Sequence, residues 1–287
     1  MERSTARSCR SQITAALLLV GSIAPFAGLG SETGDCVRFG VPADSRIVVP
    51  VYANERGPYG LMLDTGSSLP VIDRRLAERL RLQKLSRRVR LADVNGHESS
   101  HQLVVIRHLR IGPIDIPISC VAGEVPVHNV DMIVGMNVLR RRDFAIDFHA
   151  KLIRFGPARE SGSCTPFDSE APLSMLPVFP GDPGLTPLAD SGAHDVCIYS
   201  EKIGARVGPR IRGAHVPITA KSNASRGATG YAKSFQPGPG SWERFRFLTT
   251  SNGLRGRPFD GVLSLVALGL EWIHFDFRSG LLCWKRR

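Results

Sequence analysis

Leu63-Asp64-Thr65-Gly66-Ser67 has a counterpart 126 residues further along this 287-residue chain, Ala189-Asp190-Ser191-Gly192-Ala193. Each aspartate follows an apolar segment that starts with proline, Pro50-Val51-Tyr52 in the first copy and Pro177-Val178-Phe179 in the second, at intervals of 14 and 13 residues. Self-similarity with a fixed internal spacing is typical of a repeated structural unit. The two stretches therefore predict one local structure that is used twice.

Two further segments repeat downstream of these stretches. An apolar segment begins at Asp131 and is followed 16 residues later by Asp147-Phe148. A matching segment begins at Asp260 and is followed, at the same interval, by Asp276-Phe277. Because both motifs recur in the same order, they predict an internal duplication.

The repeats set the expected domain organisation. We expect a first lobe at residues 31–155 and a diverged second lobe at 173–287, joined by a Gly/Ser/Pro-rich linker at 156–172. Residues 1–30 predict a signal peptide, because three arginines precede an apolar run and the small-x-small site Gly28-Leu29-Gly30. The mature chain is then periplasmic or secreted; an uncleaved N-terminal membrane anchor is the alternative.

The pattern inside each lobe is typical of β structure. Short apolar or β-branched runs that end at Gly, Pro, Asn or Asp predict strands, at 47–53, 60–63, 103–106 and 145–155. Leucine spacing predicts one helix from Asp73 to Leu82. Asn95-Gly96 lies between two apolar runs and predicts the turn of a hairpin. The expected fold class is therefore mainly β and bilobed.

The composition excludes several other classes of function. The formal net charge is +11, but eight basic residues between positions 74 and 90 alternate with leucines, as on a solvated surface, and no nucleic-acid motif accompanies them. Attraction of this basic chain to an anionic surface outside the cytoplasm is kept as an alternative. The six cysteines form no CxxC pair or metal-ligand cluster, so we expect no metal and no cofactor. In an oxidising compartment one or two disulfides are expected, and the pairing is left open.

The two repeated aspartates have the setting that acid–base chemistry requires. Asp-Thr-Gly at the end of an apolar strand holds a carboxylate in a tight turn, where glycine permits close backbone approach and the hydroxyl fixes its neighbours. Two such turns facing each other would bring Asp64 and Asp190 together, and carboxyl groups at that distance share one proton. The charged member then takes a proton from water while the neutral one polarises a carbonyl group. We therefore expect amide hydrolysis without a covalent intermediate.

Leu63-Asp64-Thr65-Gly66-Ser67, together with Met132-Ile133-Val134-Gly135-Met136-Asn137-Val138-Leu139, resembles the retropepsin-like aspartic protease family, particularly its bacterial members. The second lobe resembles the same unit, so the likeness covers nearly all of residues 40–287. The resemblance implies an acid-protease lobe used twice in one chain, and peptide-bond hydrolysis by Asp64 and Asp190. The expected supporting turn residues are Thr65, Gly66, Ser191 and Gly192, and the candidates for a mobile flap over the substrate are Asn95, Gly96 and His97.

The expected function is that of an exported aspartic endopeptidase acting on a peptide or protein as a single-chain pseudo-dimer, without nucleic acid or stable membrane insertion. The second lobe departs from the pattern, because Ser264 stands where the first lobe has Gly135. Pro187-Leu188-Ala189 is also a poorer strand than Leu61-Met62-Leu63, which predicts a less rigidly held turn at Asp190. A catalytically inactive peptide-binding or assembly module is therefore the alternative.

The other acidic and histidine side chains have simpler expected roles. The repeated aspartates at strand edges are expected to be turn and fold residues; they are Asp131, Asp147, Asp260 and Asp276. For His194, beside Asp195, we expect a surface or interlobe hydrogen bond, because no recognisable nucleophile accompanies the pair. For Asp64 and Asp190 themselves, a plain turn role is the alternative to catalysis.

Overall fold

A computed structural model describes the greater part of the chain. The described residues are 35–41, 46–92, 98–125, 127, 129–157, 162–171, 186–194, 196–199, 211–216, 225–235, 242–250 and 259–287. The predicted signal peptide at 1–30 and the flap candidates Asn95, Gly96 and His97 lie outside these ranges. Strands predominate within them, so the expected mainly β fold class is confirmed.

The first lobe is built on a seven-stranded sheet. Its strands are β2 (Val48–Ala53), β3 (Arg56–Leu63), β4 (Val71–Asp73), β5 (Gln83–Ala92), β6 (Glu98–Ile111), β7 (Ile114–Gly123) and β8 (Met132–Val134). They lie in the order β2-β3-β8-β4-β7-β6-β5, and β2 also pairs with β6, so the sheet curves round on itself. Val49, Val51 and Leu61 are fully buried, which explains why apolar runs predicted these strands.

A short helix, α1 (Arg74–Arg79), follows β4 where the leucine spacing predicted one. Asp73 caps it, because its Oδ1 accepts the backbone N–H groups of Arg75 at 2.9 Å and Leu76 at 3.3 Å. The helix ends before the predicted Leu82, since Arg81 adopts a positive φ of 53° that a helix cannot continue through.

The second lobe contains a six-stranded sheet of the same plan. Its strands are β12 (Leu188–Asp190), β13 (Cys197–Tyr199), β14 (Ile211–Val216), β15 (Ser225–Phe235), β16 (Trp242–Thr250) and β17 (Gly261–Ser264). Their order, β12-β17-β13-β16-β15-β14, matches β3-β8-β4-β7-β6-β5 strand for strand. The pairing directions also correspond, since β12 and β17 are parallel, as are β3 and β8. This shared topology supports the duplication that the sequence repeats predict.

A third sheet joins the two lobes. Its strands are β1 (Cys36–Arg38), β9 (Phe144–Asp147), β10 (Leu152–Phe155), β11 (Ser163–Pro166), β18 (Leu270–Asp276) and β19 (Leu281–Arg286). The order is β1-β10-β9-β18-β19-β11, so each strand of one lobe has a counterpart at the same distance from the centre. The central pair, β9 and β18, stacks Phe144 on Phe275 with ring centroids 4.9 Å apart. The hydrophobic core is therefore continuous between the lobes.

The segment predicted as a linker, 156–172, contributes a strand to this third sheet. It contains β11, which pairs with β19 and occupies the place equivalent to that of β1. Cys164 of β11 lies directly across from Cys283 and forms a disulfide with it. The Gly/Ser/Pro-rich composition hid this strand, because its pairing partner lies 119 residues further along the chain.

Removing the Cys164–Cys283 disulfide is expected to destabilise the protein. The bridge joins residues 119 positions apart. Its loss increases the conformational entropy of the unfolded chain, which lowers the free energy of unfolding by about 4–5 kcal/mol by the loop-closure relation. The double variant Cys164→Ser/Cys283→Ser should therefore unfold at a lower urea concentration than the wild type. A reducing agent should lower the wild-type midpoint and leave that of the variant unchanged. Equal midpoints for the variant and the oxidised wild type would contradict the expectation.

Candidate active site

Two equivalent turns meet at the boundary between the lobes. Asp64 directly follows β3, and Asp190 is the last residue of β12. Asp64 Oδ1 accepts the backbone N–H of Gly66 at 2.9 Å, and Asp190 Oδ1 accepts that of Gly192 at 2.7 Å. These bonds fix the orientation of each carboxyl group within its own turn.

The glycine of each turn makes room for the carboxyl group of the other. A Cβ atom on Gly66 would lie 2.5 Å from Cγ of Asp190, and one on Gly192 would lie 2.8 Å from Cγ of Asp64. Because real Cβ atoms do not approach other atoms so closely, no side chain fits at either position without movement. The close approach that the sequence predicted therefore depends on glycine in both lobes.

The hydroxyl groups of Thr65 and Ser191 bind the two turns together. Thr65 Oγ1 donates to the carbonyl oxygen of Ala189 at 2.7 Å and accepts the backbone N–H of Ser191 at 3.0 Å. Ser191 Oγ donates to the carbonyl oxygen of Leu63 at 2.8 Å and accepts the backbone N–H of Thr65 at 3.1 Å. Both side chains are fully buried, so water does not compete for these bonds. We call the four bonds the hydroxyl exchange.

The carboxyl groups of Asp64 and Asp190 lie close together, because each faces the glycine of the opposite turn, and a hydrogen bond between them contributes to the pKa of both. Burial raises the pKa of both, and the negative charge of Asp190 raises the pKa of Asp64 further. The bond between them favours the protonated form of Asp64 and the ionised form of Asp190. Two carboxyl groups coupled in this way share one proton, and that proton belongs to the pair as a whole.

Backbone bonding contributes to this difference between the two aspartates. Asp190 Oδ1 accepts a second backbone N–H, from Ala193 at 3.0 Å. The corresponding N–H of the first lobe, that of Ser67, donates to the backbone carbonyl oxygen of Asp64 instead. Because hydrogen bonds to a carboxylate stabilise its ionised form, the second turn favours a charged Asp190. The weaker strand before Asp190 predicted a less firmly held turn, whereas the structure shows an additional side-chain bond there.

The second lobe accommodates Ser264, the residue that replaces glycine. A Cβ atom on Gly135 of the first lobe would clash with the carbonyl oxygen of Ser67. Ser264 is fully buried, and its Oγ donates to the carbonyl oxygen of Ala193, the equivalent of Ser67, at 2.7 Å. The substitution therefore replaces a close backbone contact by a hydrogen bond to the same turn.

Arg46 is a site residue that the sequence analysis missed. Its Nε donates to the carbonyl oxygen of Gly192 at 3.3 Å, across the lobe boundary. Its positive charge lowers the pKa of both Asp64 and Asp190, against the larger upward effect of burial. The signal that reveals it is the pairing of β2 with β3, because Arg46 lies two residues before β2 and Asp64 directly follows β3.

The other repeated aspartates hold matching parts of the two lobes. Asp131 and Asp260 each accept the backbone N–H four residues before the aspartate of their own lobe's turn, at 2.9 and 3.0 Å. Asp147 and Asp276 each accept the N–H three residues further on, at 2.7 and 2.9 Å. None of these contacts involves the carboxyl pair, so the four side chains have the structural roles that strand-edge aspartates predict.

The structure describes only part of the predicted flap and of its surroundings. Strands β5 and β6 pair antiparallel, as the hairpin prediction requires, but the flap role of its turn residues stays a prediction. His194 is exposed, and the adjoining Asp195 lies outside the described residues. Within the described ranges there is no group of three or more His, Cys, Asp or Glu side chains placed to hold a metal ion.

Deleting one hydroxyl group of the hydroxyl exchange should destabilise the protein. Thr65→Val keeps the side-chain shape but leaves the carbonyl of Ala189 and the N–H of Ser191 without their partner, at about 1–3 kcal/mol for each buried group. We expect urea titration to show a loss of about 2–6 kcal/mol, and a similar loss for Ser191→Ala. Ser67→Ala is the matched control, since its Oγ bonds to Leu69 within one lobe, and it should cost less than about 1 kcal/mol. Equal losses in all three variants would contradict the interlobe role.

Comparisons with known proteins agree with this geometry. The chain is similar in structure to an aspartic proteinase from Irpex lacteus, with 13% sequence identity and a TM-score of 0.54 over 84% of this chain and 94% of that one. It is also similar to conglutin gamma, a basic 7S globulin from lupine seeds, with 10% identity and a TM-score of 0.53 over 88% and 94% of the two chains. At these identities the likeness shows a shared fold alone.

The comparison of sequences is more limited in extent. No curated protein sequence matches the chain. A family model described as aspartyl protease matches residues 49–138, which include the first Asp-Thr-Gly turn and the segment from β8 into the following helix, α2 (Met136–Leu139). Residues 49–138 are therefore similar to the aspartyl protease family, and the chain shares the fold of an aspartic proteinase over most of its length.

Proposed function

We propose that this protein is an exported aspartic endopeptidase that uses Asp64 and Asp190 to hydrolyse peptide bonds. The hydrogen-bonded carboxyl pair carries the proposal, because two carboxyl groups with one shared proton supply an acid and a base at one point. The hydroxyl exchange supports it, since bonds from both lobes hold the two turns in register. Both aspartates are only partly buried, so a substrate can reach them.

The first step is the addition of water to the peptide carbonyl. Ionised Asp190 takes a proton from a water molecule as the water oxygen bonds to the carbonyl carbon. Protonated Asp64 gives its proton to the carbonyl oxygen, which would otherwise become negatively charged. The product is a neutral tetrahedral diol, and the pair has exchanged its protonation states.

The second step breaks the carbon–nitrogen bond. Asp190 passes its proton to the amide nitrogen, which then leaves as an amine. One hydroxyl group of the diol returns a proton to Asp64, and the carbon becomes a carboxylic acid. One water has been consumed, and the pair regains its starting state with the proton on Asp64.

A single chain completes this site, because each lobe contributes one aspartate and one hydroxyl group to it. We therefore propose that the active form is a monomer acting as a pseudo-dimer on a peptide or protein substrate. The alternative is a peptide-binding or assembly module that keeps the cleft but does not hydrolyse peptide bonds. The carboxyl pair favours the enzyme, because a binding module has no need of two adjacent acids that share a proton.

We also propose export, with residues 1–30 as the signal. The Cys164–Cys283 disulfide supports this proposal, since disulfides persist in oxidising compartments. No helix in the described part of the chain is long and apolar enough to cross a bilayer. Mass spectrometry of the protein recovered outside the cytoplasm should find an N-terminus at Ser31. Full-length protein starting at Met1, or retention in the cytoplasm, would contradict the proposal.

Replacing either member of the carboxyl pair should abolish hydrolysis. Asp64→Asn and Asp190→Asn keep side-chain size but remove proton exchange, so each should slow cleavage of an unfolded protein substrate by at least about 10²–10⁴-fold at acidic pH. The wild-type activity should be inhibited by pepstatin. Asp276→Asn is the matched control, because the hydrogen bonds of that carboxylate go to Arg278 and Ser279 and not to the pair, and its rate should stay near wild type.

Stability and activity together separate the alternatives. Since the pKa of Asp64 is raised in the folded protein, folding loses stability as the pH rises through that value, and Asp64→Asn should be more stable than the wild type at neutral pH and similar to it in acid. No hydrolysis by the folded wild type would support the binding module. Loss of activity in Asp64→Asn alone would indicate that Asp64 pairs with its counterpart in a second chain.

A further inference from the structure

Arg46 lies two residues before β2, near the end of β3 that leads into Asp64. In the antiparallel pairing of β2 with β3, Val48 is opposite Met62, and one step further the N–H of Leu63 donates to the carbonyl oxygen of Ile47 at 3.0 Å. Continued one residue beyond the ends of the strands, the same register brings Arg46 beside Asp64. Directly opposed residues lie on the same face of a sheet, with Cβ atoms about 4.5–5.5 Å apart. Register alone thus brings the guanidinium group to the side of the sheet that carries the first carboxyl group.

Arg46 also contacts the turn that carries the second carboxyl group. Its Nε donates to the carbonyl oxygen of Gly192 at 3.3 Å, a contact between residues 146 positions apart. The N–H of the same Gly192 donates to Asp190 Oδ1 at 2.7 Å, and its Cα faces the carboxyl group of Asp64. Arg46 is therefore bound to a residue that touches both members of the pair, as Gly66 does from the first lobe.

The repeat provides no second arginine. Arg46 precedes Pro50 by four residues, and the residue four before the matching Pro177 is the apolar Leu173. Arg46 is a charged side chain that acts on both Asp64 and Asp190, and it lowers the pKa of each. One positive charge in the first lobe thus lowers the pKa of two carboxyl groups, one in each lobe.

We propose that Arg46 is a positioning residue that holds the Gly192 turn against the first lobe and keeps one carboxyl group of the pair ionised. The expected effect of Arg46 on turnover rests on the proposed function. Its expected effect on the protonation of the carboxyl pair does not. A carboxyl pair taken out of water tends to hold two protons, and then it contains no base. A fixed positive charge beside the pair favours the singly protonated state, which is the one that general acid–base hydrolysis requires.

The test compares a variant that keeps the donor with one that keeps the charge. Arg46→Gln can still donate to the carbonyl of Gly192 but is neutral, whereas Arg46→Lys remains positive. Removal of a nearby positive charge raises the pKa of both carboxyl groups, so both limbs of the pH–rate profile of Arg46→Gln should move to higher pH by about 1 unit. The profile of Arg46→Lys should stay within a few tenths of a unit of wild type. Equal profiles for wild type and Arg46→Gln would overturn the proposal.

A measurement without substrate separates this proposal from the proposed function. NMR of isotope-labelled aspartate carboxyl carbons, assigned with Asp64→Asn and Asp190→Asn, follows the titration of the pair directly. An upward shift in Arg46→Gln supports the role of Arg46 even if the wild type hydrolyses nothing. No shift in a protein that does hydrolyse peptides would reject Arg46 and leave the protease proposal standing. If Arg46→Gln does not fold, the titration of Arg46→Lys decides: an upward shift overturns the proposal, and an unchanged titration supports it.

Arg140→Met is the matched control, because it removes an arginine that also donates hydrogen bonds to backbone carbonyl groups. Arg140 donates to the carbonyl oxygens of Glu170 at 2.9 Å and Ala171 at 3.0 Å, away from the carboxyl pair. Its removal should lower stability and leave the titration of the pair unchanged. A titration shift as large as that of Arg46→Gln would show that general loosening, and not the charge of Arg46, moves the pair.

Discussion

The hydroxyl exchange between Thr65 and Ser191 is the constraint on which the site depends. Each hydroxyl group donates to a carbonyl of the opposite lobe and accepts an N–H from it, so neither turn satisfies its buried polar groups alone. A buried group without its partner costs about 1–3 kcal/mol, which penalises any shift of one turn against the other. The aspartate next to each hydroxyl residue is therefore held close to its counterpart, although two like charges at that distance repel each other.

The third sheet carries the same constraint to the far side of the molecule. Its central strands, β9 and β18, come from different lobes and pair directly, with Phe144 stacked on Phe275 at their contact. The lobes are thus joined both by polar bonds at the turns and by a continuous core beneath. Local aspartates reproduce the same bonds in each half, as Asp131 and Asp260 do at the starts of β8 and β17. This agreement between matched contacts is what fixes the two turns in equivalent positions.

The sequence predicted the parts of this arrangement that depend on local pattern. The repeat identified both turns, and leucine spacing identified α1, because a short window contains the residues that decide each. Strand β11 and Arg46 were missed for one physical reason, which is that each acquires its role from a partner distant in the chain. Ser163–Pro166 becomes a strand only beside β19, and Arg46 reaches Gly192 across 146 positions. The composition around either segment does not predict contacts with those distant partners.

The fold is nearly symmetric, but a pair that shares one proton must be asymmetric to act as acid and base. Three differences between the lobes act in that direction. Asp190 accepts two backbone N–H groups where Asp64 accepts one, and Ser264 bonds to the second turn where the first lobe has a bare glycine. Arg46 adds a positive charge from one lobe only. The second lobe has therefore diverged in sequence without loosening its turn, and the additional N–H bond to Asp190 favours the ionised form of that carboxyl group.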